Sequence, residues 1–144
     1  MGKLARELYK GMKMNQPVGT MEVFKLFLRD EKFDGLIELG TGRGTLTLFL
    51  SDIFEGKIYT FSIGNVALVS DLEQNNVVVK KADVFDKDTI KYIEDLIHSL
   101  GRVLLLCDNG NKVKEVNIFA NFLKKGDVIM AHDYFKSKKD RDAS

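Results

Sequence analysis

The stretch Leu36-Ile37-Glu38-Leu39-Gly40-Thr41-Gly42-Arg43-Gly44-Thr45 constrains the fold more than any other part of the chain. Apolar Leu36, Ile37 and Leu39 run into glycines at 40, 42 and 44, and Thr45-Leu46-Thr47-Leu48-Phe49-Leu50 then resumes with helical character. That pattern is a strand, a tight loop and a helix. Glycines in such a loop tolerate positive φ and leave main chain bare to a ligand, while the new helix opens with unpaired N–H groups.

The rest of the chain repeats this alternation. Further strands are predicted over residues 57–63, 77–81, 103–107 and 127–131, the fourth being the unbroken apolar run Val103 to Cys107 expected of a strand buried on both faces. Helices are predicted from the glycine loop to Ile53, over Val66 to Gln74, along the face Ile90, Ile93, Ile97 and Leu100 with Gly101 as a left-handed cap, and along Val113, Val116, Phe119, Ala120 and Leu123. Before them, Leu4, Leu8 and Met12 fall four apart and read as a short amphipathic helix over residues 2–14. Thr20 then caps a second helix to about Leu28, with Met21, Phe24, Phe27 and Leu28 as its buried stripe. The expected class is α/β: a doubly wound, mainly parallel, Rossmann-like sheet of about five strands with helices on both faces. A single domain over 1–135 is expected, with N-terminal helices in 1–30, a sheet core in 36–134 and a charged tail in 136–144.

Charge and cysteine content narrow the partners. Twenty-two basic and 21 acidic residues leave a net charge of +1, no global field toward nucleic acid or a membrane. Cys107 is the only cysteine, so no internal disulfide forms, and its apolar strand makes it a small core hydrophobe. No apolar run reaches membrane-spanning length or resembles a signal peptide. The expectation is a reduced, cytoplasmic protein without nucleic-acid or membrane partners.

In such sheets ligands gather beyond the carboxyl ends of the strands near the topological switch point. Those ends carry Gly40–Gly44, Ser62-Ile63-Gly64-Asn65, Asp83-Val84-Phe85, Asp108 to Lys112 and His132-Asp133-Tyr134. Asp83 can accept from an adenine amino group with Val84 or Phe85 on the ring, or cap the helix starting near Asp86. Asp108, His132 and Asp133 offer two or three ligands to an ion such as Mg²⁺ or Mn²⁺; alternatively, Asp108 binds backbone N–H groups of the Asn109-Gly110 loop. His132 is also a general-base candidate because its ordinary pKa suits that task, and Lys112 is a second. Arg43 either reaches an acceptor or a carboxylate, or lies at the surface.

The spacing of the loop argues against a dinucleotide fingerprint, since G-x-G-x-x-G would need glycine at position 45, where Thr45 stands. With Glu38 two residues ahead, the stretch instead resembles the first motif of class I S-adenosylmethionine (SAM)-dependent methyltransferases. Val103-Leu-Leu-Leu-Cys-Asp108-Asn-Gly-Asn-Lys112, followed by Lys125-Gly126-Asp127 and Ala131-His132-Asp133-Tyr134, resembles the metal-dependent O-methyltransferases of the cephalosporin-hydroxylase-like and macrocin type. The resemblance implies SAM held by Glu38, Gly40, Thr41, Gly42, Gly44, Ser62, Asp83, Val84 and Asp108, and Mg or Mn held by Asp108, His132 and Asp133. It implies methyl transfer to a small hydroxylated acceptor, the competing readings being a SAM-binding module that needs a partner, or a site for another nucleotide. The chain departs from the pattern in three places. Ser62 and Asn65 stand where an acid usually binds the ribose, and His132 replaces a carboxylate or amide. The usual C-terminal antiparallel strand pair is also missing, which leaves an open edge for a homodimer.

Overall fold

Five segments pair in parallel: Gly35–Leu39 (β3), Lys57–Ser62 (β4), Val77–Lys81 (β5), Val103–Cys107 (β6) and Val128–Ala131 (β7), in the spatial order β5-β4-β3-β6-β7. The computed structural model describes residues 6–131. An antiparallel hairpin of Arg6–Tyr9 (β1) and Met12–Pro17 (β2) precedes the sheet. The helices are Thr20–Asp30 (α1), Thr45–Ile53 (α2), Val69–Gln74 (α3), Lys87–Ser99 (α4) and Lys112–Phe119 (α5). The doubly wound, Rossmann-like α/β arrangement expected from the sequence is therefore present.

Strand alternation distributes the core over two faces. Leu36, Ile58, Leu104 and Leu106 point toward α1, α2, α3 and the hairpin, while Ile37, Leu39, Phe61, Val103, Leu105 and Cys107 point toward α4 and α5. Every residue of β3 and β6 is buried, which is why these strands read as continuous apolar runs. The exception is Glu38, which shares the α2 side with Leu36.

The N-terminal segment corrects the sequence reading. The helix expected over 2–14 is a hairpin in its described part, because Lys10 (φ 50°) and Gly11 (φ 78°) form a two-residue turn between paired Tyr9 and Met12. Leu8, placed on the apolar face of that helix, is 55% exposed, whereas Met14 is buried and Tyr9 packs edge-on against Phe49 at 5.3 Å. Thr20 is the first helical residue rather than the cap. The Glu7 carboxylate accepts from the N–H groups of Gly19 (3.0 Å) and Met21 (3.2 Å), so a β1 side chain serves the start of α1.

Two smaller boundaries move as well. α3 begins at Val69 rather than Val66, and Val66 is a buried core residue. Gly101 is not among the positive-φ glycines: a Cβ there would lie 2.1 Å from Asp34 Oδ2, so closeness to Asp34 requires it. Among the described residues no helix is long and apolar enough to cross a membrane.

Candidate functional site

The strand order reverses direction between β3 and β6, and in an open α/β sheet that switch point opens a crevice at the carboxyl ends. Here it is a cavity of about 480 Å³. Its floor is the main chain of Gly40 to Gly44, and Ser62, Ile63 and Gly64 flank it on the β4 side. Asp108, Asn109 and Gly110 stand on the β6 side, with Lys13 and Gln16 of the hairpin above.

The floor is fixed by close approach. The Gly40 and Thr41 amides both donate to the Phe61 carbonyl (3.0 and 3.1 Å), and Asp108 N–H donates to the Leu39 carbonyl (2.9 Å), extending the ladder past the strands. At Gly40, with φ 102°, a Cβ would sit 2.4 Å from the Asp108 carbonyl oxygen. At Gly42, with φ 59°, a Cβ would meet nothing within 4 Å, so bare main chain faces open space. Gly44 caps α2, whose first residues, Thr45 and Leu46, also line the cavity. This presents the positive end of a helix to the crevice.

Glu38 anchors the α2 side. It is 1% exposed, and its Oε1 accepts from the hydroxyls of Thr47 and of Thr60 (2.7 Å), with Thr41 joined to Thr60 at 2.6 Å. Burial pushes its carboxyl up to about 8, against the pull of the two hydroxyls and with Asp108 adding to the rise. On the β6 side, Gln16 Nε2 donates to Asp108 Oδ2 at 2.8 Å. Behind that loop Glu115, fully buried, accepts from the Asn109 N–H at 3.3 Å. Its Oε2 has no hydrogen-bond partner among the described residues, and burial raises its carboxyl against the pull of Asn109 and Lys112.

Of the residues the sequence singles out, Glu38, Gly40, Thr41, Gly42, Gly44, Ser62 and Asp108 meet around this one cavity. Asp83, Val84 and Lys112 do not line it. Asp83 accepts from Phe85 N–H at 2.9 Å in a local turn, and Val84 is packed in the α4–α5 core. Lys112 Nζ donates to the Asn109 carbonyl at 3.2 Å. Burial pushes the Cys107 thiol up to about 12, in keeping with a core role. His132 and Asp133 lie outside the described residues. Among the described residues no three His, Cys, Asp or Glu side chains come together to hold a metal. Lys13 and Gln16 were not foreseen, because their strand was read as a helix.

The arrangement suits a small molecule carrying charged and polar groups: main chain without side chains at the glycines and a helix N-terminus below, acceptor oxygens at both sides, and a volume typical of small-molecule sites. No family model and no curated protein matches the sequence. Solved structures do. One titled CmcI-N160 apo-structure aligns with TM-score 0.72 at 17% identity, covering 90% of this chain and 57% of that one. The likeness is one of fold: the Rossmann-like sheet of this chain is shared with that structure. A second, titled cmcI-D160 Mg-SAM, aligns at TM-score 0.69 and 17% identity, over 90% of this chain and 58% of that chain. A SAM-dependent O-methyltransferase from Thermotoga maritima has the same fold at TM-score 0.59 and 14% identity, over 90% of this chain and 49% of that one. The chain thus spans about 57–58% of the length of the first two.

Proposed function

We propose that the cavity binds SAM and that the protein transfers its methyl group to the hydroxyl of a small acceptor. The observation that carries this reading is the bare main chain of Gly40–Gly44 facing Asp108 across the switch-point crevice. Similarity in fold to proteins titled as SAM-dependent O-methyltransferases and as Mg-SAM bound supports it. Glu38, Gly40, Thr41, Gly42, Gly44, Ser62 and Asp108 would hold the cofactor, with Ser62 donating to or accepting from a ribose hydroxyl in place of an acid.

SAM supplies an electrophilic methyl on a sulfonium, so the S–C bond breaks as the acceptor O–C bond forms and S-adenosylhomocysteine leaves. What the protein contributes is alignment and removal of the hydroxyl proton. Asp108 is the ionisable group on the β6 side of the cavity that can accept a hydrogen bond from that hydroxyl and orient it. His132, which lies outside the described residues, is the general-base candidate that the sequence offers. Asp108 with His132 and Asp133 would also hold Mg or Mn, supplying Lewis-acid activation of the acceptor oxygen.

Calorimetric titration of the purified protein with SAM, S-adenosylhomocysteine and NAD tests the reading. Micromolar affinity for the SAM pair, none for NAD, and turnover of a hydroxylated acceptor is the expected result. SAM binding with no turnover across an acceptor panel points to a non-catalytic module instead. Absence of SAM binding overturns both. For the metal, a divalent-ion content equal in wild type and Asp108→Ala rejects the ligand assignment.

A further inference from the structure

We propose that Lys13 and Arg43 form an anion-recognition pair at the rim of the cavity, receiving a carboxylate or phosphate group of the bound small molecules. Both line the same cavity, one from β2 and one from the glycine loop, and both are exposed. Neither forms an ion pair among the described residues, whereas Lys10, Arg102 and Lys124 are paired with Asp52, Glu31 and Asp127.

Among the described residues of the lining, the two cations outweigh the charged acids. Among the described residues the acids there are Glu38 and Asp108; Asp108 Oδ2 accepts from the Gln16 amide and keeps its charge. Glu38 is held by the Thr47 and Thr60 hydroxyls, and its raised carboxyl leaves it largely uncharged at neutral pH. Arg43 immediately precedes the cap of α2, so the helix N-terminus adds positive potential at the same rim. A planar guanidinium and a compact ammonium on one rim match an oxyanion rather than a neutral or cationic group.

That group is either the aminoacyl carboxylate of the cofactor or an anionic substituent of the acceptor. The first source rests on the SAM reading above. Wild type, Lys13→Met, Arg43→Met and the conservative Lys13→Arg are titrated calorimetrically with S-adenosylhomocysteine, with 5′-methylthioadenosine, which lacks the carboxylate, and with inorganic phosphate. Both side chains being exposed, melting curves of the variants should overlay the wild type.

A roughly tenfold loss for S-adenosylhomocysteine in the Met variants, with 5′-methylthioadenosine unchanged and affinity restored in Lys13→Arg, assigns the pair to the cofactor. Unchanged S-adenosylhomocysteine affinity, with phosphate binding to the loaded protein weakened in the Met variants, assigns it to the acceptor. Phosphate binding that is lost in the variants of a protein binding no S-adenosylhomocysteine keeps the pair and removes the SAM reading. Equal affinities for both probes in wild type and Met variants, or no binding of either to wild type, overturn the proposal.

Discussion

Gln16 and Asp108, separated by 92 residues, are joined by a 2.8 Å hydrogen bond from the side-chain amide to the carboxylate. The contact ties the N-terminal hairpin to the tip of β6, and Gln16 is only 4% exposed. A buried amide donor is therefore committed to orienting a cavity carboxylate.

Replacing Gln16 by Met keeps the volume and removes the donor. Stability should fall by about 1 kcal/mol in urea unfolding. Gln16→Glu sets a second carboxylate beside Asp108, and repulsion with burial raises its folded-state pKa. It should cost roughly 2–3 kcal/mol at pH 8 and much less at pH 4, because an acid whose pKa is raised on folding loses stability as pH rises. Melting temperatures of wild type and variant at the two pH values measure this; equal differences would show that the amide does not face the carboxylate.

Glu38 makes a related prediction for the wild-type chain. Its carboxyl lies at about 8 in the folded state against an ordinary value of 4.5. The folded state thus binds more protons than the unfolded one between those values, and ∂ΔG/∂pH is negative there. Its stability contribution is greatest below pH 4.5, declines up to about pH 8, and is constant above. Glu38→Gln keeps an oxygen for the Thr47 and Thr60 hydroxyls and removes the titration. The stability difference between variant and wild type should grow by a few kcal/mol from pH 4.5 to 8, read from urea midpoints.

Gly40 and Gly42 should separate folding from binding. Gly40→Ala forces φ 102° on a residue with a Cβ placed 2.4 Å from the Asp108 carbonyl oxygen, and about 3 kcal/mol or more of stability should be lost. Gly42→Ala meets no atom within 4 Å and carries only the left-handed penalty of about 1–2 kcal/mol. Its new methyl nevertheless occupies the floor of the cavity, so affinity for S-adenosylhomocysteine should fall more than stability does. Paired unfolding and calorimetric titrations of the two variants check the contrast.

How far the sequence revealed this molecule follows from how local each signal is. The continuous apolar run of Val103–Cys107 and the glycines after Leu39 encode burial on both faces and a tight strand-to-helix loop, and both are realised. The hairpin was hidden because Leu4, Leu8 and Met12 mimic a helical period, while its real determinant is Lys10-Gly11, a pair able to take positive φ at both positions. With the hairpin misread, Lys13 and Gln16 could not be placed on the cavity. Val84 and Lys112 sit at strand ends in the chain, yet one turns into the core and the other is held by the Asn109 carbonyl. Side-chain direction at a loop depends on packing that no spacing rule contains.

Asp127 lies at the opposite end of the sheet, where the same chemistry should affect folding alone. Its buried carboxylate accepts from the Val103 N–H (2.8 Å), the Lys124 N–H (2.7 Å) and Lys124 Nζ (3.0 Å). Burial works against its charge, but these donors outweigh it and hold the carboxyl below the ordinary range. A carboxyl lowered on folding contributes stability above its unfolded pKa and loses it as pH falls through the folded value. Asp127→Asn turns an amide toward donors that need an acceptor and should cost about 1–3 kcal/mol at pH 7, with a smaller deficit in acid. Since Asp127 does not line the cavity, S-adenosylhomocysteine affinity of the folded variant should match the wild type within twofold. A parallel loss of affinity and stability would mean that the two ends of β6 and β7 are mechanically coupled.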